Sequence, residues 1–151
     1  MPTQADAELI LKLYDLRREP EMRKARKFMV ETFWPESIDD INKIVAGFGG
    51  QENAWFRQVL GYWEMAASFV TAGVLDGELL LDSSGEMWFL YTKFKPLLPD
   101  IRKALHPEFL MKIEKVAEAT QRGRDRIVYL QKAFVARKER MKAQGAQTAG
   151  S

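Results

Sequence analysis

The stretch WEMAASFVTAGVLDGELLLD, residues 63–82, decides the fold class of this chain. Apolar residues recur at helical spacing up to Gly73, and a short acidic, leucine-rich segment follows. Gly73 stands where a helix needs a left-handed terminating residue, with Val74 after it for the apolar contact that accompanies such a cap. Asp76 is of the residue type that caps the start of a helix. The stretch therefore predicts a helix, a glycine turn and a second helix.

The same spacing continues in both directions, and no segment shows the sustained alternation of polar and apolar residues that is typical of a strand. We therefore predict an all-α, single-domain bundle of about five to seven helices that ends in a long basic helix. The spacing between Ser83 and Glu86 indicates a capping box, and Gly123 is expected to kink or split the last helix. Residues 1–142 are predicted to form the domain and residues 143–151 a disordered tail. The predicted helices cover about residues 6–18, 21–33, 38–46, 53–72, 77–82, 84–94 and 108–142.

The composition excludes several classes of chemistry. The chain has 151 residues and no cysteine, which removes disulfides, thiolate metal sites and cysteine nucleophiles together. No apolar run reaches the length of about 18 residues that a membrane span needs, and the N-terminus lacks a signal pattern. We expect a soluble, cytoplasmic protein that holds no cofactor and no metal.

Charge is distributed unevenly along the chain. Residues 1–100 carry 11 Lys and Arg against 16 Asp and Glu, whereas residues 101–151 carry 12 against 5. A basic C-terminal third favours an acidic partner, either a second copy of the chain or another protein. The candidate partner-binding residues lie in the second helix and in the last one; they are Arg23, Arg26, Lys27, Arg124, Arg137, Lys138 and Arg140.

Basic helix faces also attract phosphates, and acidic residues interspersed among these bases are equally consistent with a merely solvated face. Aromatic residues among the bases would favour stacking on a single strand. Tyr129 and Phe134 are present in the last helix, but burial in the core explains their spacing equally well.

The glycine turn has the layout of a DNA-binding helix-turn-helix, but its second helix has the wrong charge. Asp76, Glu78 and Asp82 lie there without any Lys or Arg, so the segment would be repelled by phosphates. Glu64 raises another alternative, because a carboxylate among apolar neighbours can act as an acid or a base. The simpler interpretation is that Glu64 pairs with Arg57 or with a base of another helix.

Two motifs carry a family resemblance. Residues 20–28, PEMRKARKF, precede the Trp63–Glu64 helix with its GVLD turn, and together they resemble a widespread, uncharacterised bacterial family with a domain of unknown function over about residues 9–100. Many members carry a membrane-spanning helix before the first motif, which this sequence lacks, and its basic C-terminal helix has no counterpart. The resemblance implies a helical fold without a known activity, and an ion pair between Glu64 and Arg23 or Arg26.

We expect a non-enzymatic interaction domain, because the sequence shows no phosphate loop, no nucleophile beside a base and no metal constellation. Its partner would be a second copy, in a homodimer, or an acidic protein; membrane association is not expected. The alternatives are nucleic-acid binding through the basic helices, and a small-molecule or enzymatic site around Glu64. The sequence leaves open whether the last helix packs on the bundle or projects from it.

Overall fold

A computed structural model describes residues 1–150, which form an all-α, single-domain fold and confirm the predicted class. Short helices divide the chain more finely than the sequence predicted, because an additional helix follows a 3₁₀ turn at residues 95–97 and the predicted last helix is divided after residue 117. The helices in these residues are α1 (Gln4–Arg17), α2 (Pro20–Lys27), α3 (Ile38–Ala46), α4 (Gln51–Thr71), α5 (Gly77–Ser83), α6 (Glu86–Phe94), α7 (Leu98–Ala104), α8 (Met111–Ala117) and α9 (Gln121–Ala149).

The second predicted helix is present, but its C-terminal part widens. α2 continues directly into a π-helical turn, Phe28–Thr32, which buries Phe28 and Met29. The chain turns to an extended conformation at Phe33, and Pro35 disfavours a helical conformation of Trp34, the residue before it. The carbonyl groups at the end of this turn therefore need partners from elsewhere in the fold.

The core lies around α4, which packs against both α2 and α8, while α6 packs against α8 and α9. Trp63 and Trp88, from α4 and α6, are among the largest fully buried side chains. Burying aromatic rings of this size gives the domain a large apolar contribution to stability. Other fully buried large side chains are Met29, Ile41, Met87, Tyr91, Phe94, Ile101 and Ile113.

The glycine turn in residues 63–82 is confirmed. Gly73 has a φ of +79°, and the Asp76 carboxylate accepts a hydrogen bond of 2.8 Å from the Leu79 amide. The Asp76 amide donates to the Asp6 carboxylate at 2.8 Å, which fixes the start of α1 against the turn. The capping box between Ser83 and Glu86 is wrong, because Ser83 is the last residue of α5 and its hydroxyl donates to a carbonyl of that helix.

The predicted final helix is split three residues before Gly123. The Thr120 hydroxyl accepts from the Gly123 amide and begins α9 there. Gly123 lies against the end of α8, where a Cβ would collide with the Ala117 carbonyl oxygen. The glycine therefore permits a close approach of two helices.

The last helix both packs and projects. Its first half places Ile127, Leu130 and Phe134 toward the bundle, whereas residues 138–150 are exposed along their whole length. Residues 143–149 continue the helix, and Ser151 lies outside the described residues. The domain boundary at residue 142 and the disordered tail after it stay predictions.

Candidate functional site

Glu64 has a structural partner that the sequence did not indicate. Its two carboxylate oxygens accept hydrogen bonds from the Lys112 amide at 2.9 Å and from the Ile113 amide at 3.2 Å. These amides open α8, whose N-cap residue Leu110 has no side-chain acceptor to offer and a left-handed φ of 54°. Glu64 therefore caps α8 from another helix, where the N-terminal dipole favours a negative charge.

The ion pair expected between Glu64 and Arg23 or Arg26 is wrong. Arg26 instead binds Glu86 through two nitrogens, at 3.0 Å from Nε and 2.9 Å from Nη2 to Oε1. The indole N–H of Trp63 donates to the other oxygen of Glu86 at 2.8 Å. The acidic partner of α2 thus comes from the start of α6.

The remaining candidates from the sequence are scattered over the surface. Arg57 donates to Asn53 at 2.9 Å and does not share the partners of Glu64. Arg124 donates to the Glu118 carbonyl at 2.7 Å, near the end of α8. Arg23 and Lys27 are exposed on α2, and Arg140 is exposed on α9.

Arg137 and Lys138 lie beside a groove of about 350 Å³ at the base of the projecting half of α9. The segment after the π-helical turn forms one wall, α9 forms the other, and the end of α6 with the turn after it forms the floor. Apolar rings and chains dominate the lining, and charged groups lie among them. The lining comprises Trp34, Pro35, Glu36, Thr92, Lys93, Pro96, Leu97, Gln131, Phe134, Val135, Arg137 and Lys138.

Lys93 is a buried lysine whose ammonium group closes the π-helical turn. Its side chain comes from α6, the residue is 6% exposed, and Nζ donates to the Met29 carbonyl at 2.5 Å and to the Phe33 carbonyl at 2.7 Å. A longer contact of 3.4 Å reaches the Val30 carbonyl. The lysine thereby satisfies the carbonyl groups left without partners where the helix ends.

Two effects act on the pKa of Lys93 in opposite directions. Burial, reinforced by repulsion from Arg137, lowers the pKa from 10.5 to about 7. The carbonyl oxygens around Nζ accept hydrogen bonds only, so they favour the protonated form. The charge of this wall of the groove therefore responds to pH in the neutral range.

Trp34 is held between cations and other rings. Lys93 Nζ lies 4.0 Å from the centroid of its ring and Arg137 Cζ lies 3.8 Å from it, distances typical of cation–π contacts. The Phe134 ring packs edge-on at 5.1 Å, and the Trp34 indole N–H donates to the Glu31 carbonyl at 2.9 Å. The indole is thus fixed by contacts on several sides and orients the guanidinium of Arg137.

The sequence did not single out Lys93 or Trp34. The one signal for Lys93 is a lysine inside the apolar run WFLYTKF of α6, where a charge would be buried. The contact between Trp34 and Arg137 joins residues about a hundred positions apart, so no local spacing indicates it.

The groove continues along the projecting half of α9. A second, shallower groove shares Glu36, Arg137 and Lys138 with the first and extends to Met141 and Lys142. Among its four charged residues only Glu36 is acidic. Chemically, this continuous surface can cover apolar side chains and bind negatively charged groups next to them.

Comparison with known proteins identifies the family of the chain. No curated protein and no solved structure matches the chain. No helix within residues 1–150 is both long and apolar enough to cross a bilayer. Residues 2–120 match a family described as a domain of unknown function (DUF4760), and the match ends at Thr120, which caps α9. The match includes α1 to α8 and Glu64, while the groove residues of α9 lie beyond it. Because the match includes most of the chain, this protein belongs to the DUF4760 family, which confirms the expected membership of a family with a domain of unknown function.

Proposed function

We propose that the protein is a non-enzymatic interaction module that binds an acidic protein segment through its last helix. The observation that carries the proposal is the exposure of residues 138–150, which continue α9 beyond the bundle. Helices in proteins are stabilised mainly by the packing of one face, and this half of α9 has no such packing within the domain. A bound partner would supply it.

The side chains of the projecting half favour this use. Met141 continues the stripe of Ile127 and Phe134, which faces the bundle, and it is 53% exposed because the bundle has ended there. Around it lie Lys138, Arg140 and Lys142, with Glu139 as the one acidic residue between them. Two such helices would repel each other, so charge favours an acidic partner over direct pairing of α9 with its own copy.

Binding of a labelled acidic peptide to the full chain tests the proposal. We expect a peptide of Glu and Leu to raise its fluorescence anisotropy with the wild type. Charge reversal in α9 (Lys138, Arg140 and Lys142 to Glu) should abolish that binding. A matched variant reverses exposed lysines on other helices (Lys12, Lys103 and Lys115 to Glu) and should bind like the wild type. Equal binding by both variants would contradict the role of α9.

Self-association is tested separately by light scattering after size exclusion. A chain ending at Arg137 keeps the packed residues Ile127, Leu130 and Phe134, which a cut near Arg122 would remove. The proposal predicts a monomer for both the full and the shortened chain, at low and at high salt. A dimer that is lost on shortening would show that the partner of α9 is a second copy of the chain and not another acidic protein.

Nucleic-acid binding is a second candidate, and the exposure of Tyr129 favours it. This ring is 68% exposed on α9, one turn from Lys132, whereas the Phe134 ring packs on Trp34 and Phe89. An exposed ring beside a cation can stack on a base of a single strand. Affinity for an oligo-dT strand that falls steeply with salt and is lost in Tyr129→Ala would establish this function instead.

A further inference from the structure

We infer that the groove beside Trp34 is the recognition site within this surface, and that it binds a partner segment in which an apolar side chain is flanked by carboxylates. The inference rests on the proposed function, because it names where on the molecule the acidic segment binds and which sequence it must have.

Arg137 is the group that points to a carboxylate. Its guanidinium stacks on Trp34, yet within residues 1–150 it has no acidic partner. Arg26, Arg102 and Arg122 each bind a carboxylate, and the buried Arg17 donates to the Ser84 hydroxyl at 2.7 Å, whereas the Arg137 guanidinium has no such acceptor within residues 1–150. An arginine that is oriented by stacking keeps its fork of donors available, and this fork matches a carboxylate through two parallel hydrogen bonds.

The apolar lining of the groove provides for a side chain next to that carboxylate. Leu97 contributes to the floor, Phe134 to the α9 wall, and Val135, 60% exposed, lies at the edge. A volume of about 350 Å³ is at the lower end of ligand sites, which suits one or two large side chains better than a cofactor. Burying a leucine or a phenylalanine there would contribute apolar contact beside the ion pair.

The mouth of the groove has a contact that a ligand can replace at little cost. Lys138 Nζ lies 3.9 Å from a Glu36 oxygen, and these side chains are 56% and 71% exposed. Such an exposed pair contributes little stability, so a second carboxylate of the partner can replace Glu36 in the ion pair with Lys138.

The length of the surface favours a peptide over a small anion. The second groove continues the first to Met141 and Lys142, so one extended segment can place its apolar side chain beside Trp34 and further groups along α9. A small anion would use Arg137 alone and would leave the apolar parts of both grooves uncovered.

The indole N–H signal of Trp34 reports on the groove directly. The chain has four tryptophans, and each gives an indole N–H signal in a ¹H–¹⁵N correlation spectrum. The signal that disappears in Trp34→Phe belongs to this ring. The probe is the acetylated peptide GEELLEEG, titrated into the full chain, with GQQLLQQG and GEESSEEG as peptides that lack the carboxylates or the apolar side chains. We expect the first peptide to move the Trp34 signal with a dissociation constant near 1 mM or below, and each control peptide to bind about tenfold more weakly.

Variants of the full chain test the residue that carries the inference. Arg137→Gln should weaken GEELLEEG about tenfold, as expected for the loss of a charge-assisted hydrogen-bonded pair. Lys132→Gln removes one positive charge from α9 at an exposed position outside both grooves and should change the affinity less than about twofold. Arg137→Lys keeps the positive charge but loses the parallel N–H donors of the guanidinium. Its affinity for the peptide should therefore fall between those of Arg137→Gln and the control variant.

The results of these experiments distinguish a failure of the groove assignment from a failure of the proposed function. If charge reversal in α9 abolishes peptide binding, but the peptide leaves the Trp34 signal of the wild type in place and Arg137→Gln behaves like Lys132→Gln, the proposed function stands and the assignment of the groove is overturned. If inorganic phosphate moves the Trp34 signal as strongly as the peptide does, the site binds anions generally and the peptide assignment is overturned. If the full chain binds no peptide at about 10 mM, both fail.

Discussion

Replacing Glu64 by Gln tests how the middle of the bundle is held together. In the wild type both carboxylate oxygens accept amides that open α8, from Lys112 and Ile113. A glutamine keeps one acceptor and turns an NH₂ group toward the second amide. It also removes the negative charge from the N-terminal end of the helix dipole.

The magnitude follows from these two losses. Loss of a helix cap costs about 0.5 to 2 kcal/mol, and loss of a charge at a helix terminus costs about 0.3 to 1 kcal/mol. Because the glutamine keeps one acceptor, we expect Glu64→Gln to lower the free energy of unfolding by about 1 to 2 kcal/mol. Amide exchange of Lys112 and Ile113 should also become faster, since their hydrogen bonds weaken.

Urea unfolding followed by tryptophan fluorescence measures the change. The slope of the free energy of unfolding against urea concentration should stay the same, as expected when only stability is lost. Glu139→Gln is the control, because this carboxylate is exposed on the projecting half of α9 and its loss should cost less than about 0.5 kcal/mol. No loss in Glu64→Gln would refute the capping role. A loss of about 3 to 5 kcal/mol would instead be that of a broken buried ion pair.

Three further predictions concern other parts of the fold. Gly123→Ala should lower the free energy of unfolding by about 1 to 3 kcal/mol, because its Cβ would collide with α8. Gly145→Ala, in open space on α9, is the control and should not lower it. Similar results for both variants would contradict the close approach of α8 and α9. Glu86→Gln should cost about 3 kcal/mol in the same urea assay, because it removes the negative charge beside Arg26 and turns an NH₂ group toward Arg26 or the Trp63 indole N–H. A loss below about 0.5 kcal/mol would show that the pair is merely a surface contact. The pKa of Lys93 in the fold, about 7, lies below its ordinary value of 10.5, so the unfolded chain binds more protons than the folded chain above pH 7. The free energy of unfolding should therefore rise by up to about 2 kcal/mol between pH 7 and 9. Lys93→Met should abolish that rise.

Local sequence signals predicted the helices and the glycine turn. α3 has the bounds that the spacing indicated, and Gly73 and Asp76 have the conformation and the hydrogen bond that their residue types predicted. These features depend on neighbours within one or two turns, and that is the range over which helical spacing and caps act.

Features that depend on tertiary contacts were predicted poorly. The sequence assigned Glu64 to an arginine because charges are usually paired, but the acceptor was needed by the amides of α8, whose own N-cap has no polar side chain. The break before α9 was expected at Gly123 itself, and it lies at Thr120, because the glycine serves the approach of α8 and not the turn.

The candidate groove shows the same limit. Arg137 and Lys138 were predicted as partner-binding residues from charge alone, and the structure places both beside the groove. Trp34 and Lys93, which give the groove its shape and charge, come from distant segments. Only the fold brings them to α9.

Binding of an acidic, apolar segment to the projecting half of α9 and to the groove at its base can be followed by hydrogen exchange of the full chain, with and without the peptide GEELLEEG. Such binding predicts slower exchange in residues 131–142, which include the α9 side of both grooves, and a smaller change in residues 34–36. Slower exchange confined to the basic face of α2, residues 23–27, or no change anywhere at saturating peptide, would contradict it.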